Sequence, residues 1–172
     1  RLAEVETTYV ALVAAITRFQ PALLLVGDDD VRARAEALLG AAGVDLGRVR
    51  MIALPYDDTW LRDSGPITLR HGAGLRLLDF RFTGWGGKYE ASLDDRIVAG
   101  LVEGGQFQPA EHRVVDFALE GGGIETDGAG TLLTTWRCLH ERHPERSREE
   151  ITALLAAELH QQRVLWLDHG YL

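Results

Sequence analysis

A chain of 172 residues and 19.0 kDa has the size of one ordinary domain with a buried core, and 46% hydrophobic with 26% charged residues is the composition of a globular α/β protein. The net charge of −8 disfavours nucleic acid and is compatible with a cationic ligand, although solubility alone accounts for such a charge. A single cysteine, Cys138, excludes an internal disulfide, and no apolar run approaches the roughly 20 residues of a membrane span, so a cytoplasmic protein without nucleic-acid or membrane partners is expected.

Helical spacing of Val5, Tyr9, Leu12, Val13 and Ile16 predicts a first helix, stopped by Pro21 before a buried strand from Ala22 to Val26. The chain opens within that helical spacing, without methionine and without a signal-peptide pattern, so removal of an upstream segment is expected. Asp28 to Asp30 read as capping carboxylates for a second helix, roughly Val31 to Gly40, and Val49 to Leu54 as the next strand. Ile67 to Arg70 and Leu75 to Phe82 are strands joined by the hairpin turn His71-Gly72-Ala73-Gly74, with His71 in solvent.

A helix is expected from about Leu93 to Glu103 and a strand from Arg113 to Leu119. Strands Ile124 to Thr126 and Gly130 to Thr135 follow around an Asp127-Gly128 turn. Ser147-Arg148-Glu149-Glu150 is a capping box for a last helix to about His160, and Val164 to Leu172 is an apolar strand pattern that stops abruptly. The chain therefore reads as an excerpt of a longer one. Helix-plus-strand units recur without strict repetition, as in a degenerate propeller-like array, and no linker divides them.

Three clusters stand apart from this pattern. Asp57-Asp58-Thr59-Trp60-Leu61-Arg62-Asp63-Ser64-Gly65-Pro66 sets three carboxylates, an arginine and an indole in ten positions. It is either a polar turn with an incidental salt bridge or a site for a planar cation, which a carboxylate can grip by two parallel N–H bonds and an indole can face. In Phe82-Thr83-Gly84-Trp85-Gly86-Gly87-Lys88-Tyr89 the glycines suit either a strand-to-helix connection with Trp85 plugging the core or a loop closing over a ligand. In Leu119-Glu120-Gly121-Gly122-Gly123-Ile124 a carboxylate ends an apolar strand, and Glu120 is expected to project into space that the glycines leave open, fit for acid–base work.

Other candidates are weaker. His140 and His143 have the spacing of two metal ligands on a helical face, but no third ligand completes the set, and both read as surface residues. No Walker or dinucleotide fingerprint occurs, so neither a metal nor an organic cofactor is expected. Cys138 follows an apolar strand and reads as a structural thiol.

In this order the three clusters resemble the agmatine deiminase family, relatives of bacterial peptidylarginine deiminases in the pentein, or guanidine-modifying, superfamily. Asp57 to Pro66 is similar to the element D-[DS]-x-W-x-R-D-x-G-P, Phe82 to Tyr89 to F-N-A-W-G-G-K-Y, and Glu120 to Thr135 to E-G-G-x-I-x-x-D-G-x-G-T-L-L-T-T. Cys138-Leu139 and a closing W-L-x-x-G-x segment keep the register. The resemblance covers nearly the whole chain and implies an α/β fold that is a partial pentein, about two to three modules of a five-module propeller. Residues 1–172 would be the N-terminal part of a single catalytic domain truncated at both ends, unstable in isolation because of its open strand edges.

The implied activity of the full-length protein is cofactor-free hydrolysis of agmatine to N-carbamoylputrescine and ammonia, through a thiouronium formed by attack of a cysteine. By resemblance, Asp63 and Glu120 are catalytic, Asp63 gripping the guanidinium and Glu120 lying beside the catalytic histidine. Trp60, Asp63 and Trp85 bind substrate, a small cationic guanidine, and homo-oligomerisation is compatible with this picture. The family's Gly-His-x-Asp segment and its late Gly-rich cysteine segment are both absent, and Cys138 does not align with the nucleophile, so the fragment alone is expected to be inactive. Thr83-Gly84 replaces the usual Asn-Ala, and Glu125 follows Ile124. Asp63 and Glu120 read only the shared guanidinium, so peptidylarginine or free-arginine deimination is the enzymatic alternative, and a non-catalytic agmatine or polyamine-binding protein is the alternative of another class if the missing half lacks the cysteine.

Overall fold

A computed structural model describes residues 1–170; the Tyr171-Leu172 end of the final strand pattern lies outside the described residues. Two compact units divide the chain, Arg1–Pro55 and Tyr56–Leu172. In the first, helix α1 (Leu2–Thr17) leads to strand β1 (Ala22–Val26), helix α2 (Asp29–Ala41) and strand β2 (Val49–Ala53), with β1 and β2 parallel in the register Ala22↔Val49. Asp28 caps α2 as expected, its Oδ1 accepting the Val31 N–H at 2.7 Å. Val13, Ala22 and Leu39 form the buried centre of this unit, and an Arg34–Glu6 ion pair joins its two helices.

The second unit opens with a single turn, α3 (Leu61–Ser64), and continues into two three-stranded sheets built to one plan. In one, β3 (Ile67–His71) and β4 (Gly74–Arg81) form an antiparallel hairpin, and β5 (Glu111–Ala118) returns parallel to β4. In the other, β6 (Ile124–Thr126) and β7 (Thr131–Thr135) form the hairpin and β8 (Arg163–Leu167) returns parallel to β7. A parallel return requires a crossover. Helix α4 (Ile97–Glu103), preceded by a 3-10 turn at Asp94–Arg96, supplies the first; α5 (Trp136–Arg142) and α6 (Arg148–Glu158) supply the second. The mixed α/β class expected from the sequence is the one observed.

One core serves both sheets: Leu78, Phe80, Val115 and Phe117 from the first, and Leu132, Leu139, Ile151 and Leu155 from the second and its helices. The capping box is formed, with Ser147 Oγ accepting the Glu150 N–H at 3.2 Å and Glu150 Oε2 accepting the Ser147 N–H at 2.7 Å. Helix α5 was absent from the elements read off the sequence, because Arg137, His140, Glu141 and Arg142 give its surface too little apolar periodicity.

His143, expected at the surface, is buried. Its ring stacks on Phe117 with centroids 3.8 Å apart, and Nε2, facing the Ala118 carbonyl at 2.9 Å, must carry the proton and donate it. Burial pushes this imidazole below its ordinary value of 6.5. The unfolded chain therefore binds the proton more readily than the folded one, so this contribution to stability is present above about pH 6.5 and is lost as pH falls below it. His143→Gln is expected to flatten the decline in urea midpoint between pH 7.5 and 5.5; parallel declines in the two proteins would remove His143 from the acid response.

Candidate active site

Asp63 sits in α3, whose turn is closed by its own N–H donated to the Trp60 carbonyl at 2.9 Å and ended by Gly65-Pro66. That half-buried carboxylate is where the three unusual clusters meet. Its Oδ1 accepts the backbone N–H of Gly122 at 2.8 Å, and its Oδ2 accepts the indole N–H of Trp85 at 3.2 Å. Each oxygen thus has one donor from the fold and a second lone pair free in geometry, a pair of acceptors that fits the fork of a guanidinium.

The glycines explain how these segments come so close. A Cβ on Gly122 would overlap Asp63 Oδ1, and one on Gly121 would overlap the Arg62 carbonyl oxygen. The space beside Glu120 is therefore not open, as expected from the sequence, but filled by Arg62 and Asp63. Trp85 has φ 59° and Gly86 φ 82°, left-handed backbone that an indole-bearing residue adopts only under strain. That strain turns the ring so that its N–H reaches Asp63, while edge-on contacts to Phe82 and Tyr89, 5.1 and 5.7 Å between centroids, hold it. The loop is anchored at its root by Phe82 N–H on Asp95 Oδ1 at 2.6 Å and by Gly86 N–H on Thr83 Oγ1 at 3.1 Å.

The other carboxylates of the decapeptide serve the chain. Asp57 Oδ2 accepts the Leu93 N–H at 2.8 Å, and buried Asp94 returns the arrangement by accepting the Asp57 N–H at 2.8 Å. Burial pushes the Asp94 carboxyl up, against the pull of those backbone donors. Asp58 accepts the N–H of Thr59 at 2.6 Å. Asp63 is the one of the decapeptide's three that takes its donors from both other clusters. Trp60 begins the same turn with its side chain 60% exposed, so an indole face is available three residues before Asp63.

Glu120 is 1% exposed and ends β5's extension into the glycine turn. Its Oε1 accepts Nε of Arg142 at 2.9 Å, an ion pair in which both side chains are 2% exposed. Oε2 is also shielded from water and has no hydrogen-bond partner among the described residues. Arg142 is the partner of Glu120 that sequence reasoning missed: a basic residue ending a short polar helix carries no local signal, and only the burial of Glu120 demands a cation there.

Cys138 is buried, and that burial raises its thiol above the ordinary value even with Arg142 favouring the thiolate, which suits a structural cysteine. A cavity of about 520 Å³ beside α3 is lined by Arg62, Pro66, Ile67, Ile124 and Glu125 among others; Asp63, Trp85 and Glu120 do not line it. Among the described residues no group of three or more His, Cys, Asp or Glu side chains could hold a metal, and no helix is long and apolar enough to cross a membrane.

Residues 1–172 match the family model of the Porphyromonas-type peptidyl-arginine deiminase. The agmatine deiminase of Stutzerimonas stutzeri is 37% identical over 98% of this chain and 46% of its own length, and that of Pseudomonas fluorescens 34% identical over 96% and 45%. A solved structure of a C. jejuni agmatine deiminase variant with substrate bound superposes with a TM-score of 0.85 at 28% identity, covering 99% of this chain and 49% of that one. The chain thus spans about half the length of the relatives it matches. With a family model covering every residue and three motif clusters folded onto one carboxylate, the chain belongs to the Porphyromonas-type peptidyl-arginine deiminase family.

Proposed function

We propose that the complete protein hydrolyses the guanidinium group of agmatine, giving N-carbamoylputrescine and ammonia, and that residues 1–172 are the N-terminal part of its catalytic domain. The observation that carries this reading is Asp63 holding one N–H on each oxygen and presenting the remaining acceptors as a pair. A guanidinium docked there by two parallel bonds is fixed in plane. A thiolate from beyond this chain adds to its carbon, ammonia departs to leave an S-alkylthiouronium, and water then releases the carbamoyl product and restores the thiolate. Buried Cys138 is ill suited to that attack.

Asp63 and Glu120 are assigned as the catalytic carboxylates of this half, and Trp60 and Trp85 as the indoles of the substrate pocket. Two sheets of one topology, each a hairpin followed by a parallel return, support a partial propeller of about two to three modules. Relatives named agmatine deiminase favour agmatine, but Asp63 reads only the guanidinium common to agmatine, free arginine and peptidyl-arginine. Ammonia release by the complete protein from each of the three tests the choice. Agmatine is expected to give the highest kcat/KM, and a faster reaction with peptidyl-arginine would transfer the assignment to that substrate.

A further inference from the structure

The Glu120–Arg142 pair lies beyond the reach of bulk water, and its geometry is unlike that of a pair that only holds a core together. An Arg–carboxylate pair frequently closes as a two-bond fork, which satisfies both oxygens at once. Here a single bond is made, Nε to Oε1 at 2.9 Å, and Glu120 Oε2 and Arg142 Nη2 are both buried without a partner among the described residues. Each such orphan is unfavourable, because it has lost its water without gaining a partner. The arrangement is stable only if something else holds the two groups out of the fork.

The loop around Trp85 does so. A Cβ on Gly86 would lie 3.0 Å from Nη1, 3.2 Å from Cζ and 3.3 Å from Cδ of Arg142, so the guanidinium packs directly beneath the Gly86 backbone. Nη1 also faces Glu141 Oε2 at 3.6 Å. Arg142 is thereby pinned on one side by the strained loop and on the other by Glu120, and the glycine at position 86 is what allows that approach.

We propose that Arg142 is the positioning residue for Glu120: it fixes the carboxylate through Oε1 and leaves Oε2 to a proton-bearing donor of the reaction centre. The inference rests on the guanidine-hydrolase reading above, with no dependence on which guanidine is the substrate. Because the same guanidinium lies under Gly86, it also ties the carboxylate to the loop whose indole orients Asp63.

The test uses the complete protein and ammonia release from agmatine, arginine and peptidyl-arginine. Arg142→Lys keeps the charge but loses the planar donor set. It is expected to lower kcat about 100-fold on the best substrate, the scale of a misplaced catalytic group, with KM changed less than about threefold and the thermal midpoint near that of the parent. A second arm compares Glu120→Gln with the double variant Glu120→Gln/Arg142→Met, in which no buried charge is left alone; the two are expected to share one kcat, because Arg142 acts through Glu120. Full kcat in Arg142→Lys, or a further loss in the double variant as large as Arg142→Met causes in the parent, overturns the positioning role alone. No turnover of any of the three guanidines by the parent protein overturns both this role and the proposed function.

Discussion

Asp63→Asn in the complete protein is expected to lower kcat/KM for agmatine by about 10³-fold, because removing one partner of a buried ion pair costs about 3–5 kcal/mol and each 1.4 kcal/mol is a factor of ten. The substitution is nearly isosteric, yet it is doubly unfavourable at this position. It removes the charge that grips the guanidinium in the proposed function, and it replaces one acceptor oxygen by an NH₂. Both oxygens of Asp63 already accept an N–H, from Gly122 at 2.8 Å and from Trp85 at 3.2 Å, so whichever way the amide turns, it sets donor against donor. Ammonia release under kcat/KM conditions reads the loss, and the thermal midpoint separates it from unfolding. Activity within tenfold of the parent would remove Asp63 from the guanidinium site.

Gly121→Ala is expected to destabilise the protein by about 3 kcal/mol, at the upper end of what an added methyl costs in a packed interior. The new Cβ would meet the carbonyl oxygen of Arg62, a backbone atom in the turn that carries Asp63, so no side chain can swing aside to make room. Relief requires α3 to separate from the glycine turn, and that motion would break the Gly122 bond to Asp63 and lower activity along with stability. Gly87→Ala is the control: it has the left-handed φ of 80° but nothing within 4 Å of its Cβ, and should cost only about 1–2 kcal/mol of backbone strain. Urea unfolding of the two variants measures the difference; equal losses would mean that close approach to the Arg62 carbonyl does not explain the glycine at position 121.

Much of the fold was legible because local rules decide it. The strand Ala22–Val26 has the bounds read from its apolar run, the hairpin turn falls between His71 and Gly74, and the capping box at Ser147 begins α6 where its residues require. Where tertiary contacts decide, reading failed. His143 lies in a polar stretch ending in Pro144 and is nonetheless buried, since its ring is complementary to Phe117, 26 positions earlier in the chain. The turn Leu61–Ser64 is too short to leave a periodic trace.

The candidate site shows the same division. Its residue types were visible as three unusual clusters, and their placement was not. Asp63 could be singled out from Asp57 and Asp58 only by resemblance, whereas in the folded chain the distinction is physical: Asp57 clamps Leu93 and Asp94, Asp58 caps its own neighbour, and Asp63 alone receives donors from both other clusters. Arg142 illustrates the limit. It is one of 18 basic residues, and nothing short of the burial of Glu120 selects it as the partner.

The repeated sheet plan bears on how the protein acquires competence during synthesis. Each three-stranded sheet closes within its own stretch, β3 to β5 over residues 67–118 and β6 to β8 over residues 124–167, so the first can form on the ribosome while the second is still being translated. Asp63 precedes the first sheet, Trp85 follows its hairpin, and Gly122 lies in the five-residue link between the two sheets. The donors on the carboxylate thus emerge in the order of translation, the indole before the glycine amide. A nascent chain stalled before that link would hold the carboxylate and the indole without the glycine amide that completes the pair of donors.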